Sequence, residues 1–153
     1  MSVQVLEPRA LLAAVTSVSA SGLNMTSGSG ALNAGDSLTL AVNFDAAVFV
    51  NRTNGSPTLK LSDGGTAAYA SGSGSATINF VYTVEPGRNA DDLAVTDLLL
   101  NGSTIRDLSD VAASLTGATT NPSGTLRIDT WQPIVQSLNR KLPLGQTTNT
   151  STV

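Results

Sequence analysis

The side chains that carry most protein chemistry near neutral pH are missing from this chain: among its 153 residues there is no His and no Cys. That removes the commonest general base, the commonest transition-metal ligand, thiol nucleophiles and zinc–thiolate sites together. Serines are plentiful, but no imidazole is present to activate one, and Lys60 and Lys141 stand in no Ser-x-x-Lys arrangement. What remains is carboxylate chemistry. A bound ion would have to be a hard cation held by carboxylates and carbonyls, with Ca2+ ahead of Mg2+. Asp91-Asp92 is an adjacent acidic pair, yet after Gly87-Arg88-Asn89-Ala90 it reads as a solvated turn before a strand rather than a metal pair. Paired acids for glycosidic cleavage need a cleft, which a small β-domain seldom offers. Gly28-Ser29-Gly30 and Gly72-Ser73-Gly74 precede no helix, so neither is expected to cradle a phosphate. Catalysis finds no foothold in these residues.

The elements that position such side chains are strands. Hydrophobic residues make up 41% of the chain and aromatics 4%, so the core is expected to consist of Leu, Val, Ile and Ala. Charged residues are 12%, which leaves Ser, Thr, Asn and Gly to face water. A net charge of −3 and scattered basic residues argue against nucleic acid. No apolar run approaches the roughly 18 residues of a membrane-spanning helix, so insertion by a helix is not expected. Glu7-Pro8-Arg9 interrupts the one apolar N-terminal run, which is therefore a poor signal peptide.

Period-two alternation recurs along the chain. Leu38, Leu40, Val42 and Phe44 point one way, and Ile78, Phe80, Tyr82 and Val84 repeat the pattern. Shorter runs at 47–50, 58–61 and 66–70 are separated by Asn54-Gly55 and Asp63-Gly64-Gly65, the latter a strong hairpin signal. Alternation slips phase at Thr96-Asp97, which predicts a β-bulge, and Asn101-Gly102 predicts a tight turn. Residues 107–117 fit a loop or a single helical turn capped by Ser109. The last strand is 125–128. Seven to nine short strands with frequent turns predict an all-β, immunoglobulin-like Greek-key sandwich.

A second start follows the first finish. Val135-Gln136-Ser137-Leu138 restates Val15-Thr16-Ser17-Val18 after 120 residues, beyond a Trp131-Gln132-Pro133 joint. The expected organisation is a leader at 1–14, one sandwich at 15–130, and a linker with the truncated start of a further unit at 131–153.

The series Leu32-Asn33-Ala34-Gly35-Asp36, Val42-Asn43-Phe44-Asp45-Ala46-Ala47-Val48, Pro57 to Gly65, Phe80-Val81-Tyr82-Thr83-Val84, Leu98 to Ile105 and Leu126 to Thr130 resembles the bacterial Ig-like repeats of very large surface and secreted adhesins. Leu6-Glu7-Pro8-Arg9-Ala10-Leu11-Leu12 resembles the LEPR-XLL motif near the start of long repetitive extracellular bacterial proteins. Two departures stand out: Trp131 and Gln132 replace the small residues of the family's linker, and Asp45 lies one position earlier than the family's acidic residue. The resemblance implies a non-catalytic structural or adhesive repeat, extracellular or on a bacterial surface, with neighbouring repeats as partners and cell-surface or glycan ligands as further ones. It also implies Ca2+ near the joints, for which Asp129 at the joint, Asp107 and Asp110 in the loop before the last strand, and Asp45 at a strand end are the candidate ligands. The competing reading of these four is separate turn-forming aspartates. An alternative function is a carbohydrate-binding sandwich using its Ser/Thr/Asn face or Trp131, although Trp131 at a joint is expected to pack between units. Lys60 is expected to face solvent.

Overall fold

In a computed structural model, which describes residues 12–131, alternation does what the pattern predicts. The strands are β1 (Val15–Gly22), β2 (Gly30–Leu32), β3 (Ser37–Asn51), β4 (Thr58–Leu61), β5 (Thr66–Ser71), β6 (Ser75–Thr83), β7 (Asn89–Ala90), β8 (Val95–Leu99), β9 (Thr104–Asp107) and β10 (Leu126–Asp129). Because side chains alternate across a strand, Leu38, Leu40, Val42 and Phe44 of β3 pack inward with Ile78, Phe80 and Tyr82 of β6, none more than 5% exposed. One large antiparallel sheet runs β1-β3-β6-β5-β4-β8, with β9 added to the far end of β3, and a second sheet runs β2-β10-β7. The result is an all-β sandwich. Leu32, Leu126 and Ile128 of the smaller sheet close the core from the other side.

Ten strands exceed the expected seven to nine because β2 and β7 span only three and two residues, too short to show a period. The runs 37–44 and 47–50 are one fifteen-residue strand, interrupted by a register shift between Asn43 and Val48. The bulge at Thr96 is present: Asp97 pairs with Lys60, while Val95 pairs with the next residue, Leu61. Asn101 and Gly102 both take positive φ, 51° and 86°, as a type I′ turn demands. Residues 108–115 form a loop, and the only helical turn among the described residues is the 3-10 turn Thr116–Ala118.

Direction matters more than count. β1 begins opposite Phe44 and ends opposite Leu38, where Ser37 meets Thr83. β2 feeds β3 through the Asn33–Asp36 turn at that same end, and β10 runs parallel to β2. The described chain therefore enters the sandwich at one end, at Ala13 and Ala14, and leaves it at the opposite end, at Thr130 and Trp131. The motif at residues 6–12 lies outside the described residues except for Leu12. The repeated start at 135–138 lies wholly outside them.

Candidate functional site

Each of the four candidate aspartates is engaged with the protein itself. Asp45 lies within β3 rather than at a strand end, because 37–44 and 47–50 run on as one strand, and it accepts the Ala14 N–H at Oδ1 (2.8 Å), which fastens the incoming segment to the sheet. Asp107 ends β9 and is buried; its Oδ1 accepts the N–H groups of Ser109 (2.8 Å) and Val111 (3.0 Å), an Asx arrangement that folds the following loop. Asp110 sits in that loop at φ 61° and lies 3.7 Å from Arg106. Asp129 ends β10, pairs with Arg127 at 3.1 Å and accepts the Trp131 N–H at 3.2 Å.

Asp107 and Asp110 border one depression, whereas Asp129 borders another at the outgoing end of the sandwich. Among the described residues no three Asp, Glu, His or Cys side chains gather to hold a metal ion. The four do not make one coordination shell: Asp107 and Asp110 fit the turn-forming reading, whereas Asp45 sits within a strand and Asp129 ends one.

The outgoing end is the better-built region. Thr130 Oγ1 accepts the Gly87 N–H (3.0 Å) and donates to the Arg88 carbonyl (2.9 Å), while Asn89 Oδ1 accepts the Thr130 N–H (3.0 Å). These bonds fix the direction in which the backbone leaves. Trp131, 79% exposed, then stands over a depression of about 280 Å³ bordered by Asn89, Asp91, Arg127 and Asp129.

Behind that clasp lies a polar latch. The Tyr82 hydroxyl donates to Asp63 Oδ2 (2.5 Å), and Asp63 Oδ1 accepts the Gly65 N–H (2.8 Å). Arg88 donates to the Asp63 carbonyl (3.3 Å) and pairs with Glu85 at 2.8 Å. Burial, then the hydrogen bond to Asp63, push the Tyr82 phenol above its ordinary range, so it stays protonated as a donor. The hydrogen bond from Arg88 to Glu85 raises the guanidinium further. Asp92 plays a similar part for β10: Asn121 Nδ2 donates to its Oδ2 (2.6 Å) and the Leu126 N–H to its Oδ1 (2.8 Å). Those two bonds, Asn121 first, hold its carboxyl below the usual range. Asp91 is exposed, as a turn residue should be, but Asp92 is a structural acceptor rather than a solvated one.

Tyr82, Asp63, Asp92 and Thr130 escaped the sequence reading as partners, because their bonds span 19 to 43 positions and leave no local spacing. Only the Asp63-Gly64-Gly65 turn and the inward phase of Tyr82 were visible separately. Lys60 is exposed and donates to Thr66 Oγ1 (3.0 Å), as a solvent-facing lysine would. Compared with known proteins, the chain matches no protein-family model, no curated protein and no solved structure.

Proposed function

We propose that the chain is a non-catalytic structural or adhesive unit of a tandem array in a large extracellular or surface protein. The observation that supports this most directly is the through-going path: the backbone comes in at one end of the sandwich and goes out at the other, so units joined end to end extend instead of folding back. The hydrogen-bonded Asp129–Trp131 segment supports a fixed exit angle, and exposed Trp131 offers an apolar surface for whatever follows. The restated opening at 135–138 supports a further unit of the same kind. Calcium at the joint is part of this reading, with Asp129 as the candidate ligand on this side. Small-angle scattering on two copies of the chain joined end to end tests it. The expected result is a rod of about twice the length of one copy; a compact particle with the two sandwiches side by side refutes the reading.

A further inference from the structure

The outward face of the β3–β9 ladder carries an aromatic platform with polar neighbours that an array unit does not need. Val48–Asn51 pairs with Thr104–Asp107 so that Phe49 stands beside Arg106 and Asn51 beside Thr104. Across an antiparallel pair, side chains lie about 4.5–5.5 Å apart, and alternate positions along a strand about 6.5–7 Å apart. The four side chains thus form a grid with the footprint of one pyranose ring. Leu108 and Asp110 border it, enclosing a shallow depression of about 360 Å³. Phe49 is 45% exposed and Leu108 82% exposed, two of the few large apolar side chains left in water. Both border the depression and give it an apolar rim.

The polar groups are held ready. Asn51 Oδ1 accepts both the N–H (2.9 Å) and the hydroxyl (2.7 Å) of Thr53, which fixes the amide plane and leaves its NH2 for another partner. Arg106 Nη1 donates to the Asp110 carbonyl (2.7 Å), and its Nε lies 3.7 Å from the Asp110 carboxylate. Asp110 adopts φ 61°, a backbone region that favours glycine, and in doing so brings its carbonyl onto the guanidinium. One arginine, Arg106, faces two aspartates, Asp107 and Asp110, around the depression, so the lining disfavours an anionic ligand.

We infer that this depression binds a single neutral sugar residue. The negative face of the Phe49 ring attracts the weakly positive C–H groups on one face of a pyranose. Asn51 Nδ2, the Thr104 hydroxyl and the free Arg106 Nη2 donate to ring hydroxyls, and the Asp110 carboxylate accepts from one. The inference goes beyond the array reading, because an extending unit requires no ligand and a sugar site requires no neighbours.

The test titrates the full 15N-labelled chain separately with D-glucose, D-galactose, D-mannose and N-acetyl-D-glucosamine, each to about 50 mM, and follows amide and side-chain signals by NMR. At least one sugar should move the signals of the Asn51 side-chain amide, Thr104 and Arg106 together and saturably, with a dissociation constant on the order of 1–10 mM, as suits so small a ligand. Phe49→Leu keeps an apolar side chain but removes the π face, and should weaken binding about tenfold or more. Leu23→Ser, at another exposed leucine, should leave it unchanged. No response to any of the four sugars, responses centred elsewhere, or full binding by Phe49→Leu overturns the proposal.

Discussion

Gly65→Ala probes the latch behind the outgoing end. A Cβ at position 65 would lie 2.6 Å from Tyr82 Cε2 and Oη and 2.7 Å from Cζ. Carbon contacts settle at about 3.5–4.0 Å, so the ring would have to withdraw by roughly 1 Å. It has nowhere to go: Tyr82 is 2% exposed, and its hydroxyl is tied to Asp63 at 2.5 Å. Overpacking of a filled core costs about 1–3 kcal/mol. Moving the ring enough to relieve it gives up a hydrogen bond to a carboxylate, about 1.5–3 kcal/mol. These two costs are partly alternatives, so the expected loss is about 3 kcal/mol, or about 10 °C in Tm for a domain of this size. Urea denaturation of the full chain followed by far-ultraviolet circular dichroism measures it. Tyr82→Phe removes one of the three contacts along with the hydrogen bond, so the double variant should be less unstable than the sum by about 1 kcal/mol or more. A loss below about 1 kcal/mol for Gly65→Ala, or strict additivity in the double variant, would refute the argument from space.

Asp92→Asn tests the acceptor beneath β10. Because the folded-state carboxyl is held below the usual carboxylate range, its contribution is complete above that range and fades as pH falls through the lower folded value. The stability gap between wild type and variant, from urea midpoints, should therefore narrow between about pH 5 and about pH 3; a gap independent of pH would contradict the assigned bonds. Thr130→Val removes one donor and one acceptor from the exit clasp, costing about 1–2 kcal/mol and speeding hydrogen exchange at the Gly87 N–H. Unchanged exchange there would mean that Thr130 does not fix the exit. If the joint holds Ca2+, about 10 mM of it should raise the thermal midpoint of the full chain by several degrees, and a midpoint unchanged within about 1 °C would count against the cation.

Much of this molecule is legible in the alternation alone. The inward sets of β3 and β6, the hairpin at Asp63-Gly64-Gly65, the turn at Asn101-Gly102 and the bulge at Thr96 each follow from a local rule of period or positive φ. Two-residue β7 and three-residue β2 were not legible, because they exist only through pairing with β10, some 40 and 96 positions away. The same limit hid the polar partners. Nothing around Asp92 announces Asn121 and Leu126, and nothing around Tyr82 announces Asp63. Of the four acidic candidates, spacing placed Asp107 and Asp110 together correctly, but spacing carries no information on whether Asp129 and Asp45 join them. The Phe49–Arg106 grid needed the β3–β9 register, which a single strand cannot reveal.

The through-going path also decides how the domain meets tension. Pulled by its two ends, the sandwich would be loaded along β1 at one terminus and along β10 at the other. β1 lies against seven partners on β3, and β10 runs beside β2 in the same direction, so each ladder slides lengthwise and its bonds must yield together. A hairpin opened from its tip would give way one pair at a time at far lower force. A protein drawn taut between a surface and a tether would thus resist most strongly along the axis in which it is strung.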